Sequence, residues 1–211
     1  MKTGITALVL MLNILPSGAF AATVVVGPRG CHQGSPHFST IQAAVNAAPG
    51  GNVLVCPGTY PEQVVISTPL VLKGVSYKNS SAATITPPSG GMVANTQTSS
   101  WLYSNNGVSS VAAQISVQNT HDVAISNLTI DGGSTANCSI SGTGIDLYNS
   151  GIPSHQVSVS NVVVQNTCGI GILSDSSLIT IQASDVYNTG WSGIFVVQGS
   201  YFQIQVLRNT V

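Results

Sequence analysis

The chain has 211 residues but few charges: only 5% of them are Asp, Glu, Lys or Arg, and the formal net charge is −1. Helical globular proteins place many charged side chains on their outer faces, so this composition argues against a mostly helical fold and favours β-structure with uncharged polar surfaces. It also argues against nucleic acid as a partner, because the chain has no basic patch to neutralise phosphates.

The first 21 residues have the pattern of a signal peptide. Lys2 supplies a positive charge, an apolar run follows from Ile5 to Leu15, and Ala19-Phe20-Ala21 has the small residues of a cleavage site. The apolar run is shorter than the roughly 20 residues that a membrane-spanning helix requires. We therefore predict a leader at residues 1–21, a secreted or periplasmic location, and no membrane span in the mature chain.

Residues 22–52 are predicted to form a short strand and a capping helix. Thr23 to Val26 is an apolar strand, and apolar residues recur at helical spacing between Ile41 and Ala48. Ser39, three residues before Gln42, has the spacing of a capping box, and a Pro-Gly pair ends the helix.

Residues 53–211 change to a period of two and contain a repeat. Asn-Thr and Gly-Ile recur at an offset of 22 residues between Gln165–Ile172 and Tyr187–Ile194. Strand centres at Val159 and Ile181 share that offset, and Ile204 follows 23 residues later. An earlier copy precedes Val159 by 34 residues, with the excess fitting an insertion around residues 132–142.

A period of this length, built from strands, is typical of a parallel β-helix, in which each coil packs only on its neighbours. The leucine-rich repeat has a similar period, but its regularly spaced leucines are absent. We predict an all-β fold, a right-handed parallel β-helix solenoid with a short N-terminal capping α-helix. Asn127 and Asn161 fall in equivalent turns and are predicted to stack, whereas Ala183 and Val206 replace Asn in the next copies.

The four cysteines favour disulfides, because their number is even and the chain carries an export signal. The preferred pairing is Cys31 with Cys56 and Cys138 with Cys168. A metal site is the alternative, but no C-x-x-C pair or H-x-x-x-H motif accompanies these cysteines.

The stretch Phe38–Val45, followed by Val53-Leu54-Val55 and by Pro57-Gly58-Thr59-Tyr60, resembles the opening of secreted β-helix proteins related to pectin methylesterases and pectate lyases. The resemblance covers residues 38–74 closely and residues 115–211 through the generic coil pattern. It implies that the helix caps the first coil and that the outer face of the Gly-Ile strands floors a polysaccharide groove. The same opening occurs on proteins of different function, so it indicates fold more than activity.

Two outer columns of side chains follow from strand alternation if the Gly-Ile isoleucines point inward. The first column holds Asp146, Leu173 and Phe195, and the second holds Tyr148, Asp175 and Val197. Asp146 and Asp175 then lie on a diagonal with their backbones roughly 8 Å apart, and inverting glycosidases separate their two carboxyl groups by about 6.5 to 9.5 Å. Asp146 and Asp175 are therefore candidate catalytic residues, and Tyr148 and Phe195 are candidate sugar-binding residues. Solvated surface carboxylates are the alternative interpretation.

The catalytic motifs of the resembled families are not found. Polygalacturonases carry Asn-Thr-Asp before Gly-Ile-Asp, whereas Ser141-Gly142-Thr143 precedes Gly144-Ile145-Asp146 here. The methylesterase strand Gly-x-Val-Asp-Phe-Ile is absent, and Arg208 is the only Lys or Arg after Lys78, so a lyase base near the two aspartates is missing.

Metal-binding residues are sparse. His121-Asp122 and His155 precede strands in equivalent turns, so they are placed to meet as a metal or acid/base pair, although two solvent-exposed histidines are the other interpretation. Asp131-Gly132-Gly133 offers oxygen ligands for Ca²⁺, but this sequence is also ordinary in turns. We therefore expect no cofactor.

The chain ends at Val211 close to a strand, with no segment to cover the last coil. Uncovered coils expose strand edges, so we expect either a truncated member of a longer family or self-association through this coil.

Three functions stay open. The first is a secreted module that binds or acts on polysaccharide, the second is a pectin-active enzyme, with a hydrolase favoured over a lyase, and the third is a structural or adhesin-like surface solenoid.

Overall fold

The computed structural model describes residues 21–80, 83–96, 111–133, 142–152, 154–176, 178–197 and 203–211. One helix and eighteen strands lie within these ranges. The helix α1 spans Ile41–Ala47. The strands are β1 (Thr23–Val26), β2 (His37–Phe38), β3 (Asn52–Val55), β4 (Gly58–Pro61), β5 (Val64–Ile66), β6 (Leu70–Gly74), β7 (Ala83–Thr86), β8 (Ala112–Gln118), β9 (Val123–Ser126), β10 (Thr129–Asp131), β11 (Gly142–Tyr148), β12 (Val157–Ser160), β13 (Val163–Thr167), β14 (Ile172–Asp175), β15 (Leu178–Gln182), β16 (Asp185–Thr189), β17 (Ile194–Val196) and β18 (Gln203–Leu207).

The strands form three parallel sheets, and from β3 onward the chain visits the three sheets in turn. Sheet A has the order β18-β15-β12-β9-β6-β3-β1-β2, sheet B the order β16-β13-β10-β7-β4, and sheet C the order β17-β14-β11-β8-β5. Every third strand therefore returns to the same sheet and stacks on the coil below it. This architecture confirms the predicted right-handed parallel β-helix, in the hand that β-crossover-β connections nearly always take.

The core is built from columns of inward-facing apolar side chains. One column on sheet C joins residues paired in register on successive strands: Val64, Ile115, Ile145, Ile172 and Ile194. The first four are fully buried, and Ile194 packs against them. The inward orientation assumed for the Gly-Ile isoleucines is confirmed.

The glycine of each Gly-Ile pair is required by close packing. A Cβ atom on Gly144 would lie 2.4 Å from the Val164 side chain and 2.6 Å from the Gly171 carbonyl oxygen. Gly171 is equally tight against Val186 and Gly193. The repeat seen in the sequence therefore marks the corner where the chain enters sheet C.

The predicted register is right for most coils and wrong for the last. Val157 pairs with Ile179 at the predicted offset of 22 residues, and Val123 pairs with Val157 at the offset of 34. Ile181, however, pairs with Val206 rather than Ile204. The last coil is longer than the period in the sequence. The turn position that Ala183 occupies in one coil is therefore occupied in the next coil by Arg208, and not by Val206.

Asparagine ladders join the corners of adjacent coils. Asn161 donates a side-chain hydrogen bond to Asn127 at 2.7 Å, as predicted. A second ladder joins Asn149 to Asn119 at 2.7 Å, and a third joins Asn188 to Asn166. All six residues have left-handed backbone conformations, which Asn tolerates better than most residues.

The helix covers the start of sheet C. Its N-cap is Thr40, which accepts from the Ala43 backbone N–H, and not the predicted Ser39. The Glu62 carboxylate accepts from the backbone N–H groups of Ile41 and Gln42 at 2.7 and 2.9 Å. The Gln42 side chain then exchanges two hydrogen bonds with the backbone of Val65 in β5. The Gln42 amide therefore makes the two hydrogen bonds to β5 that a neighbouring strand would otherwise make.

One predicted disulfide is present, between Cys31 and Cys56, with their Cα atoms 6.4 Å apart. Cys168 is also disulfide-bonded, and its predicted partner Cys138 lies outside the described residues, as does most of the predicted leader. Across the part of the chain described, no helix is long and apolar enough to cross a membrane. Whether copies of the chain associate through the last coil stays a prediction.

Candidate functional site

The two outer columns of sheet C have the register that the sequence predicted. Asp146 pairs with Leu173, and Leu173 pairs with Phe195. In the second column Tyr148 pairs directly with Asp175 on the neighbouring strand. The four candidate residues therefore occupy three successive strands of one face.

The first column is not the open groove floor that was expected. Asp146 is only 1% exposed and Leu173 is fully buried. Leu173 forms an outer apolar cluster with Val111 and Ile170, against which Phe195 packs. Strand alternation correctly placed these side chains outside the β-helix, but it cannot show that another part of the chain covers them.

Residues 91–96 form part of this cover. Gln63 exchanges two hydrogen bonds with the backbone of Val93, and the Asn95 side chain exchanges two with the backbone of Ala113 in β8. Thr96 lies next to Val111 in an antiparallel bridge. These contacts fix the segment beside β8, where the Thr96 hydroxyl reaches Asp146 in the first column.

Asp146 is held under this cover as a weak acid. Burial raises its pKa to about 7; a hydrogen bond from Thr96 opposes the rise, and the negative charge of Asp175 adds to it. The Thr96 hydroxyl donates to Asp146 Oδ2 at 2.6 Å, whereas Oδ1 is buried without a hydrogen-bond partner among the described residues. A carboxyl with a pKa near neutrality is chemically suited to donating a proton at neutral pH.

The second column is more open. Tyr148 and Asp175 are both partly exposed, and Gln118 continues the column on β8. The Gln118 amide donates to Ser116 and to the Asn95 backbone carbonyl, so it lies at the margin of the cover. The accessible part of the candidate site is therefore the strip that contains Tyr148 and Asp175.

The basic side chains of the described residues lie away from the outer face of sheet C. Lys73 belongs to β6 in sheet A, Arg29 and Lys78 lie in N-terminal loops, and Arg208 follows β18. The charge on the described part of the sheet C face is therefore set mainly by the partly exposed Asp175, because Asp146 is buried.

The Asp131 carboxylate is a structural hydrogen-bond acceptor. It accepts from the Gly133 backbone N–H at 2.9 Å and from the side chains of Gln165 and Asn166 at 2.7 and 3.0 Å. Burial acts to raise the pKa of Asp131, but these hydrogen bonds outweigh it and lower the pKa overall. Both of its oxygen atoms thus accept hydrogen bonds from protein donors, as in an ordinary Asp-Gly-Gly turn.

Two other surfaces were not anticipated. Tyr187, on β16 of sheet B, and Trp191, just after that strand, are each 50% exposed. A groove of about 380 Å³ lies at the corner between sheets A and B and is lined by residues that include Asn127, Leu128 and Asn161. Neither surface contains the paired carboxyl groups of sheet C.

Comparison with known proteins gives structural likeness alone. No protein-family model matches the chain, and no curated protein matches it. A solved pectin methyl esterase of the rice weevil is similar with a TM-score of 0.45 and 15% identity, covering 85% of this chain and 66% of that one. A pectin methylesterase of Aspergillus niger gives 0.40 and 16%, covering 88% and 69%. The Escherichia coli protein ybhc gives 0.40 and 18%, covering 98% and 71%. By the arrangement of its own three sheets, the chain is a right-handed parallel β-helix protein.

Proposed function

We propose that the protein binds polysaccharide on the outer face of sheet C, with Tyr148 and Asp175 in contact with the sugar. The observation that carries this proposal is their direct pairing on neighbouring strands, with both side chains partly exposed. A tyrosine ring stacks against the apolar C–H face of a sugar ring, and a carboxylate accepts hydrogen bonds from sugar hydroxyls. Phe195, on the strand beyond, extends the same face.

The repetition of the coils supports an extended ligand. Each coil adds one strand about 4.8 Å further along the sheet, so equivalent side chains form a linear series. A polymer of sugar rings lying across these strands meets several of them in succession. This geometry fits a polysaccharide better than a compact small molecule.

The charge of the face favours an uncharged sugar. Asp175 is its partly exposed carboxyl group, whereas Asp146 is buried with its pKa raised to about 7, and the basic side chains after residue 21 lie elsewhere. Free uronates would be repelled, whereas neutral or methyl-esterified sugars would not. The protein is therefore proposed to prefer methyl-esterified pectin or a neutral polymer over polygalacturonate.

Export is part of the proposal. The Cys31–Cys56 disulfide fits an oxidising compartment, and polysaccharides of this kind lie outside the cytoplasm. The N-terminal pattern of residues 1–21 agrees with this location.

Hydrolysis is the second candidate function, favoured by the raised pKa of Asp146 beside Asp175. In that reaction Asp146 would protonate the leaving oxygen and Asp175 would activate water. The substrate would have to reach Asp146, which Thr96 covers in this structure. Binding is therefore proposed first, and the acid pair is proposed as the residues that any cleavage would use.

Binding and cleavage are separated by one set of measurements. Affinity is measured on methyl-esterified pectin, polygalacturonate and a neutral galactan, together with release of reducing sugar and ultraviolet absorbance of unsaturated products. The expected result is binding that Tyr148→Ala and Asp175→Asn weaken and that Gln182→Ala, an exposed control on sheet A, leaves unchanged. Binding that is equally strong in all three variants would exclude this face.

Reducing-sugar release that Asp146→Asn abolishes would establish the hydrolase. Release that survives both Asp146→Asn and Asp175→Asn would exclude these residues as the acid pair. A chain that neither binds nor cleaves any of the polymers would indicate the structural solenoid instead.

A further inference from the structure

Two histidines and one aspartate meet at the corner between sheets C and A. Val123 pairs with Val157, so His121 and His155, each two residues earlier, occupy equivalent positions on adjacent coils. Their ring centroids are 4.9 Å apart, close to the spacing of the coils themselves. The stack of coils, rather than closeness in sequence, brings His155 to His121 and Asp122.

The aspartate lies between the two rings. Asp122 Oδ2 is 3.0 Å from Nδ1 of His121 and 2.7 Å from Nδ1 of His155. One carboxylate oxygen is therefore shared by two imidazole nitrogens from different coils. Asp122 has a φ of 52°, a left-handed conformation that aspartate adopts more readily than most residues.

The three groups together have the composition of a transition-metal site. They offer one ligand atom each, and these atoms all lie within 4.8 Å of one another. Imidazole nitrogen and carboxylate oxygen bind Zn²⁺ at about 2.0 to 2.2 Å, which places the ligand atoms of a tetrahedral site about 3.3 Å apart. The Asp122 oxygen is 3.0 and 2.7 Å from the two imidazole nitrogens, close to that separation, and a bound ion would take the place of these two hydrogen bonds.

The surroundings leave space for a further ligand. The side chains of His121, Asp122 and His155 are 37%, 46% and 49% exposed. Nitrogen ligands suit Zn²⁺, Ni²⁺ and Cu²⁺, whereas Ca²⁺ and Mg²⁺ take oxygen ligands.

We propose that His121, Asp122 and His155 form a binding site for one divalent transition-metal ion of the Zn²⁺ class, with water completing its coordination. The site is separate from the sheet C strip and does not depend on polysaccharide binding. Because its ligands come from the turns before β9 and β12, the bound ion links two neighbouring coils.

The site is tested by calorimetric titration of the untagged, metal-stripped protein with zinc chloride. The expected result is one ion per chain in the wild type. His121→Ala and His155→Ala should each weaken binding by at least about tenfold, because even loss of a residue that only supports a ligand costs roughly 10- to 100-fold. His32→Asn changes an exposed histidine outside the cluster and should leave binding unchanged.

Thermal unfolding gives a second measurement. Saturating zinc should raise the melting temperature of the wild type and of His32→Asn, but not of His155→Ala, because an ion that binds only the folded chain stabilises it. Calcium chloride at the same concentration should produce no rise. Zinc binding that is absent from the wild type, or that is the same in wild type and His155→Ala, would overturn the proposal.

Discussion

The inner and outer faces of sheet C are made from the same strands, but the burial of their side chains has different causes. On the inner face, residues such as Ile115, Ile145 and Ile172 stack in register and are fully buried. On the outer face, a buried carboxyl and a buried leucine lie one strand apart, beside a partly exposed pair. The inner face is determined by the coil alone, whereas the outer face depends on what else packs against it.

The difference has a simple energetic basis. An inward side chain has no alternative to apolar surroundings, so the coil selects apolar residues and gains about 25 cal/mol for each Å² of apolar surface removed from water. An outward side chain is buried only if another segment reaches it. Where that segment covers Asp146, the neutral form of the carboxyl is favoured, and the site acquires its chemical character.

The largest expected effect concerns the inner face. Ile145→Ala should lower the free energy of unfolding by about 4 kcal/mol, because it opens a cavity in a column with no solvent access. Urea unfolding followed by circular dichroism measures the change. Tyr148→Ala, three residues along the same strand and partly exposed, is the matched comparison and should cost clearly less. Equal costs at the two positions would mean that the faces do not differ as described.

The next effect is the dependence of stability on pH. The pKa of Asp146 rises from 3.8 to about 7 on folding, so the folded state binds more protons than the unfolded state between these values. The stability that Asp146 contributes is therefore fully present below about pH 4 and falls by about 3 kcal/mol between roughly pH 4.5 and 7. Asp122 and Asp131 have lowered pKa values, so the stability that they contribute is present above about pH 4 and is lost as the pH falls further.

Urea midpoints measured across this range provide the check. In Asp146→Asn the fall between pH 4.5 and 7 should disappear, whereas Asp131→Asn should retain it. A wild-type stability that is constant or rises over this interval would contradict the burial of a protonated Asp146.

The smallest of the stability effects tests whether the outer face of sheet C is covered at Leu173. Leu173→Ala should cost about 2 to 3 kcal/mol, although Leu173 faces outward, because it is buried in the outer apolar cluster. Val206→Ala, at an exposed position on β18, should cost less than about 0.5 kcal/mol. A loss at Leu173 as small as that at Val206 would show that the outer face is open in solution.

Much of the fold could be predicted because it is repetitive. The 22-residue offset identified the paired positions of several coils, and alternation correctly placed Asp146 and Tyr148 outside the β-helix. The register of the last coil was wrong because the sequence allows either Ile204 or Val206 to follow Ile181 in the inward column. Only the strand pairing distinguishes the two residues. The N-cap was misplaced by one residue because Ser39 and Thr40 both have capping side chains.

The chemistry of the site was harder to predict because it depends on contacts between distant residues. The hydrogen bond of Thr96 to Asp146 joins positions 50 residues apart, and no motif marks it. The pairing of Asn149 with Asn119 was overlooked, although each of the two is followed by a hydroxyl residue in equivalent turns. That recurrence is a signal that could have revealed the second ladder.

The most direct test of the proposed function is the location of the bound sugar. Amide chemical shifts of the isotope-labelled protein are recorded while a methyl-esterified oligogalacturonate is added. The proposal predicts that the largest changes lie on β11, β14 and β17, around Tyr148 and Asp175. Changes centred on the exposed Tyr187 and Trp191, or no changes at saturating oligosaccharide, would contradict it.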